Sequence, residues 1–538
     1  MTAPAEQGSA RRLRLDKAAR LTIGASVAVA VMAIAGVIID NPGEIAPGEI
    51  LRPALVLILF AALAPFAMFA ASGSSARWAV AFPIMLFALF KFVGFYGVGE
   101  YLGLNEDEAL FAGVAGMLTV CAVSAFVVSR RKAEEVAGLL FFLSATMAAG
   151  LSVLAAINLS GGGSDGEKAA SDLIAAAPRP DFAAGDKPDI IYIVPDRYGN
   201  AETLARVFGR DNSGFVGALE QRGFHVEDGA RSNYAKTVAS LASSMNMADL
   251  RPLAAAETPA SADRAPLRRM IADNAAQEIL RGAGYRYMHL GTWWQETRHN
   301  PHADYEYYGV DTLWSSLSEF EHALLRTTPL AWFATRGGFV GRNECERLKN
   351  QLDYLQNARA QSDGPLFIFA HLTLPHDPIT MNSDGACVKH VYYPGYGTRW
   401  DEYRAAYAGY VEHLNKRLLE IFDANAALNK QRGYIFVIQA DEGPYPKRLH
   451  ENPDIDMHNF TDDEIREKFG IINAIYWDST KYGPPYLTRT PENNWRIILS
   501  KISGADVPLI KDERSLLMRS DKLVYDLKDV TATLETRH

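Results

Sequence analysis

Two hydrophobic rhythms divide the chain. Up to residue 158, long uncharged apolar runs alternate with short charged turns; beyond it, short apolar runs alternate with amphipathic stretches. Five runs, 21–39, 54–71, 78–98, 109–128 and 136–158, approach the ~20 apolar residues that a membrane-spanning helix needs. They predict a five-helix transmembrane bundle over 1–158. Residues 159–187 are rich in Gly, Ala, Ser and Pro and read as a linker, with a short helix near 168–177 along the membrane surface. From 188 to 538, the runs DIIYIV (189–194), YMHL (287–290), LFIFAHL (366–372), YIFVIQA (434–440) and IINAIYW (471–477) read as buried strands. Amphipathic stretches such as 215–222 and 402–423 separate them. Near-continuous apolar strands alternating with helices predict an α/β domain, a mostly parallel central sheet sandwiched by helices.

Charge orients the first part. Arg11, Arg12, Arg14, Lys17 and Arg20 precede the first run, Arg77 follows the second, and Arg130, Arg131 and Lys132 follow the fourth. The opposite turns carry Asp40, Glu44 and Glu49, then Glu100, Glu106, Asp107 and Glu108. The positive-inside rule puts the N-terminus in the cytoplasm, and five crossings then put the α/β domain outside, on the periplasmic face of the cell membrane. A cleaved signal peptide fits less well, because no small-x-small site precedes Asp40 and four further runs follow. Lys91 is the one basic residue inside a run; it either snorkels or lines a polar groove.

The net charge of −9 excludes a nucleic-acid footprint. Three cysteines, with no CxxC or Cys/His cluster, exclude a zinc ribbon or redox motif. Cys121 lies in an apolar run. Cys345 and Cys387 lie in the α/β part, either as one disulfide or as two buried thiols.

In sheets of this kind, ligands sit beyond the carboxyl ends of the strands. The first strand runs into Asp196-Arg197-Tyr198-Gly199, the fourth into Asp441-Glu442-Gly443, and the third into Pro375-His376-Asp377. Massed carboxylates repel unless a cation neutralises them, so a divalent metal on hard oxygen ligands is one reading, and turn or helix caps are the other. In RSNYAKTVASL, Val238, Leu241 and Met245 have helical spacing, which puts Thr237 at a helix N-terminus. There it acts either as a plain N-cap or as a nucleophile activated by a metal. His371 falls inside a strand and reads as a core histidine. Trp293, Trp294, Arg298, His299 and His302 follow another strand, as headgroup and phosphate contacts or as packed aromatics with polar neighbours.

These segments, KPDIIYIVPDRYGN, the stretch from DNSGFVGALEQRGF to SNYAKTVASLASSMNM, PLFIFAHLTLPHDP, YAGYVEHLNKRLLEIFD and IFVIQADEGP, resemble in order and spacing the sulfatase-like branch of the alkaline phosphatase superfamily. Its membrane members include lipoteichoic acid synthases and phosphoethanolamine transferases. The resemblance covers roughly 187–495. It implies one divalent metal held by Asp196, Thr237, Asp441 and Glu442, with Thr237 as the nucleophile and His376 on the substrate side. It implies a phosphotransferase or phosphoesterase that takes its group from a phospholipid headgroup donor. The acceptor would be an envelope glycan or lipid, and membrane lipids would be its partners. The 522–527 run (KLVYDL) resembles the family's closing segment.

The chain departs from that family at two places. The family's Asp-His is Asp441-Glu442 here, which favours Mn²⁺, Mg²⁺ or Ca²⁺ over Zn²⁺. It also admits a pseudoenzyme serving as envelope scaffold or receptor. The C/S-x-P-x-R motif of sulfatases is missing at Thr237-Val238-Ala239-Ser240-Leu241, which speaks against sulfuric ester hydrolysis by that route.

Overall fold

The computed structural model describes residues 17–41, 43, 45–71, 75–102, 104, 106–130, 132–160, 164–182, 187–392, 399–428, 432–452 and 455–536. Arg11, Arg12, Arg14, Glu44 and Arg131 lie outside them. The chain forms two units, 1–160 with 320–333, and 161–319 with 334–538.

In the first unit, Lys17–Asp40, Pro47–Ala70, Glu108–Val128 and Ala133–Leu159 are helices long and apolar enough to cross a membrane. Among the described residues the count is therefore four, and the expected fifth span at 78–98 is corrected. It is divided at Lys91 into Ser75–Phe90 and Phe92–Tyr101. The longer piece has 16 residues and so rises about 24 Å, short of the ~30 Å hydrocarbon core. Pro83 inside it, the exposed charge at Lys91, and Gly94 and Gly97 beyond it all work against one continuous apolar rod. Lys17–Asp40 is the most enclosed helix, with small residues such as Ala19, Ala25, Ala28 and Ala30 buried along it. Gly24 lets the Phe141 ring approach closely, because a Cβ would stand 2.7 Å from that ring and force it to move.

The second unit is the expected α/β domain. Its strands are β1 (Asp189–Pro195), β2 (His225–Val226), β3 (Arg286–Leu290), β4 (Tyr305–Tyr307), β5 (Leu366–Leu372), β6 (Ile379–Met381), β7 (Cys387–Tyr392), β8 (Tyr434–Gln439), β9 (Asn473–Tyr476), β10 (Leu516–Met518) and β11 (Leu527–Asp529). Seven form one sheet in the order β2-β9-β8-β1-β5-β3-β4. Pairs from β8 through β1, β5 and β3 to β4 are parallel, whereas β9 runs antiparallel to both β8 and β2.

Side-chain alternation builds two cores. Ile190, Tyr192 and Val194 of β1, Phe367 and Phe369 of β5, and Ile435 and Val437 of β8 face one side. Ile191 and Ile193, Ile368 and Ala370, and Phe436 and Ile438 face the other. Helix Thr237–Asn246 covers the first face through Val238, Leu241 and Met245, and Trp400–Ala427 covers the second through Tyr403, Tyr410 and Leu418. The linker helix, Ser164–Ala175, joins the first core through Ala170 and Ile174, so it is part of this unit. Cys345 and Cys387 form a disulfide that ties helix Phe339–Gln356 to β7.

Candidate active site

The geometry begins with β1, central in the sheet between β5 and β8. Its register pairs Val194 with His371 and Ile193 with Ile438, so the ends of the three strands lie side by side. Asp196 leaves the end of β1 as its backbone N–H donates to the Leu372 carbonyl at 2.9 Å. Arg197 follows in the left-handed region, at φ 60°, where a non-glycine residue is strained by about 1–2 kcal/mol. Two bonds hold it there. Its N–H donates to Asp441 Oδ1 at 3.0 Å, and its carbonyl accepts from the Tyr407 hydroxyl at 2.6 Å.

Three ligand atoms converge at this edge. Asp196, His371 and Asp441 are all buried and each offers one ligand atom, all within 4.8 Å of one another. His371 Nε2 lies 3.4 Å from Asp196 Oδ2, long for a hydrogen bond. Asp196 Oδ1, Asp441 Oδ2 and His371 Nε2 are buried without a hydrogen-bond partner. Such atoms are costly unless something fills the space between them. The His371 ring is fixed from behind, its Nδ1 2.9 Å from Thr297 Oγ1, and this is how metal-ligating histidines are oriented. The residues present fit a divalent cation. Burial and the charges of Asp196 and Glu442 push the Asp441 carboxyl well above its usual range. At Asp196, burial works upward too, but His376, His371 and Arg197 outweigh it and hold the carboxyl below the usual range.

Thr237 is the first residue of its helix, and Lys236 occupies the N-cap without a side-chain capping bond. The Thr237 hydroxyl faces Asp441, whose carboxyl it helps pull down. Its free helix-terminal amides favour negative charge at this point. Thr237, Asp196 and His376 line a cavity of about 170 Å³ with Arg197, Lys236, Arg264, Trp293 and Trp294. The wall also contains Glu442, Tyr445, Asp521 and Val524. His376 is pushed down to about 3 by burial and by Arg197, so its ring is neutral. Its Nδ1 meets the Asp377 carbonyl, an acceptor only, so Nδ1 carries the proton and Nε2 the lone pair.

Glu442 sits differently from its neighbour. Its Oε1 accepts from Arg197 Nε at 3.0 Å, and its Oε2 lies 2.7 Å from Lys468 Nζ, a close ion pair outside hydrogen-bond angles. Arg197 also reaches Asp377 at 3.2 Å and lies over the Tyr445 ring, 3.5 Å from its centre. Lys236 and Lys468 flank the same ring at 4.7 and 4.4 Å, and the Tyr445 hydroxyl accepts from Lys236 at 2.7 Å. Gly443 permits this crowding, since a Cβ there would lie 2.2 Å from the Glu467 carbonyl oxygen.

The structure thus brings Asp196, Thr237 and His376 to one cavity, sets Asp441 beside Asp196 and Thr237, and engages Glu442 with two cations. His371 is the site residue that sequence reasoning assigned to the core. The signal was its place as the penultimate residue of β5, on the parity of Phe367 and Phe369 and so on the face that carries Thr237. Lys236, Arg197 and Lys468 were also missed, as was Asp521 beside the 522–527 run. Trp293 and Trp294 line the cavity, whereas Arg298 is buried against Tyr308 and donates to the Ser315 carbonyl. His299 pairs with Glu306 at 3.2 Å and His302 with Asp273 at 2.7 Å.

No family model and no curated protein matches the chain. Among solved structures, it is similar to the C-terminal periplasmic domain of EptC from Escherichia coli in complex with Zn. That match has 13% identity and a TM-score of 0.44, over 66% of this chain and 96% of that one. It is similar also to the integral membrane lipooligosaccharide phosphoethanolamine transferase A of Neisseria meningitidis, at 10% identity and a TM-score of 0.42, over 95% and 98% of the two chains. A third likeness is a Vibrio parahaemolyticus protein in the alkaline phosphatase superfamily, at 12% identity and a TM-score of 0.37, over 66% and 80%.

Proposed function

We propose that this protein is a membrane-anchored, metal-dependent phosphotransferase or phosphoesterase with Thr237 as its nucleophile. The observation that carries this reading is the convergence of three unpartnered ligand atoms, from Asp196, His371 and Asp441, beside the first hydroxyl of a helix. Asp196, His371, Asp441 and Thr237 hold one divalent cation. Glu442 does not, because its charge is spent on Arg197 and Lys468. A ligand set with one imidazole favours Zn²⁺ or Mn²⁺ over Mg²⁺ or Ca²⁺. When bound, the cation supplies Lewis-acid polarisation of the phosphoryl oxygens and favours the Thr237 alkoxide.

The chain's own residues do the rest. Thr237 Oγ attacks phosphorus, its P–O bond forms as the bond to the donor's leaving oxygen breaks, its proton passes by way of His376 Nε2 to that leaving oxygen, and a phospho-Thr237 results. Arg197 and Lys236 line the cavity as counter-charges for the phosphoryl oxygens. In the second half the Nε2 lone pair of His376 takes the proton of an acceptor hydroxyl, whose oxygen bonds phosphorus as the P–Oγ bond to Thr237 breaks, and the proton returns to Oγ. The anchoring helices support a lipid donor and an envelope glycan or lipid acceptor.

The outer location has support independent of helix count. With 78–98 divided at Lys91, counting crossings no longer fixes the side of the α/β unit. The Cys345–Cys387 disulfide favours an oxidising compartment.

Mass spectrometry of the full chain incubated with phospholipid and Mn²⁺ or Zn²⁺ tests the mechanism. A phosphoryl adduct on Thr237, absent from Thr237→Ala, is the expected result; full activity in that variant would sink it. One observation favours a second reading, a pseudoenzyme serving as envelope scaffold. One expected ligand, Glu442, is bound up in ion pairs. A site that stays metal-free after dialysis against excess Mn²⁺ and Zn²⁺ would favour the scaffold.

A further inference from the structure

Beyond residue 160, large apolar side chains exposed to solvent are few among the described residues: Tyr305, Leu313, Leu330, Phe333, Phe339 and Tyr486. Four of these six fall between 313 and 339. Within that stretch, residues 320–333 fold with the first unit, although they lie more than 150 positions beyond its last spanning helix. Helix Glu319–Arg326 has apolar residues at helical spacing, and its Phe320, Ala323 and Leu324 pack with Ile34, Ile38 and Ile45. These partners mark the end of the bundle where Lys17–Asp40 stops and Pro47–Ala70 begins. Arg52 closes the contact with a two-pronged ion pair to Glu321, 2.9 Å from Nε to Oε1.

The turn that follows is satisfied from within. The Thr327 and Thr328 hydroxyls donate to the Leu324 and Leu325 carbonyls, both at 2.7 Å. The Thr328 hydroxyl in turn accepts from the Leu330 N–H at 3.2 Å, and Pro329 has no N–H to satisfy. A backbone that spends its polar groups internally is what a low-polarity layer requires. Helix Pro329–Arg336 then presents Leu330 and Phe333, three residues apart and so on one face, 56% and 55% exposed.

We infer that residues 320–333 form an interfacial membrane anchor. The first helix is held by the spans, and the second dips Leu330 and Phe333 into the acyl boundary of the adjoining leaflet. The inference rests on reading the apolar helices as spans, and it is independent of the chemistry at Thr237.

The test uses the full chain in phosphatidylethanolamine/phosphatidylglycerol liposomes. Bimane is attached at Leu330→Cys, Phe333→Cys or the exposed control Glu220→Cys, in a Cys121→Ala background with the disulfide intact. Labels at 330 and 333 are expected to be quenched at least about threefold more by acyl-brominated lipid, and correspondingly less by aqueous iodide, than the label at 220. Iodide quenching equal to that at 220, or protection from both quenchers, would overturn the inference. A measurement without substitution guards against misfolded variants. A lipid with a diazirine in its acyl chain should photolabel 330–333 in the unmodified protein. Adducts confined to 17–160 would count against the anchor.

Discussion

Lys468 Nζ lies 2.7 Å from Oε2 of Glu442, with both side chains buried, and Arg197 holds the other oxygen of the same carboxylate. The residue beside Asp441 therefore belongs to an ion-pair cluster. Burial brings Lys468 down to about 8 while Glu442 works against it, so the two charges depend on each other. Lys468→Met should cost up to about 3–5 kcal/mol, because it leaves one oxygen of a buried carboxylate without its cation, with only Arg197 remaining on the other. The double variant Glu442→Gln/Lys468→Met should regain much of that loss and keep its metal content. Denaturant unfolding of the full chain in detergent, with metal analysis of the same samples, checks both. A double variant as unstable as the single one would mean that the pair is not the cause.

The metal reading separates ligands from their supports. His371→Ala and Asp441→Asn should each abolish stoichiometric binding of Zn²⁺ or Mn²⁺. Thr297→Val removes only the group that orients the His371 ring at 2.9 Å. It should weaken binding by about 10–100-fold while leaving a measurable site. Calorimetric titration of the apo-protein distinguishes these outcomes. Unaltered affinity in His371→Ala would remove β5 from the ligand set.

The parts of this fold that were legible in the sequence are those whose signal is local. β1, β5 and β8 are buried on both faces, so they appear as unbroken apolar runs, and Asp196 and Asp441 could be placed simply as the first polar residues after them. His371 was read as a core histidine because it lies inside such a run, and it is buried within β5. Only the register of β5 against β1 puts it beside Asp196. Glu442 entered the ligand set through the resemblance, at the position of the family's His, yet its partner Lys468 is brought in by a helix 26 positions later, a pairing that no local pattern carries. The division of the 78–98 run at Lys91 was visible as a charge inside an apolar stretch, but a single lysine can equally snorkel. Nothing local marked 320–333 as companions of the spanning helices.

The disulfide offers a stability test away from the cavity. Cys345 and Cys387 are 42 positions apart, and a loop of that size constrains the unfolded chain by about 4 kcal/mol in the chain-entropy picture. Reduction, or the paired Cys345→Ala/Cys387→Ala substitution, should lower unfolding stability by about that amount. Metal stoichiometry should be unchanged, since the bridge joins helix Phe339–Gln356 to β7 and neither cysteine lines the cavity. Chemical denaturation with and without reductant measures the effect.

Glu467 supplies a pH dependence whose sign can be worked out. It is 7% exposed, and burial raises its carboxyl to about 8 against the opposing pull of Arg206. In the unfolded chain a glutamate releases its proton near ~4.3. Between those two values the folded state holds a proton that the unfolded state has lost, so stability falls as pH rises. The contribution of Glu467 is therefore fully present below about pH 4, declines through neutrality and is gone above about pH 8. Glu467→Gln cannot titrate. Its stability relative to the natural chain should be nearly equal at pH 4. It should then climb with pH and level off near 8, at a gap on the order of a few kcal/mol. Unfolding free energies of the two proteins, measured across pH 4–9, test this directly. A gap independent of pH would mean that Glu467 is ionised in the fold, with its charge neutralised by Arg206 or another neighbour.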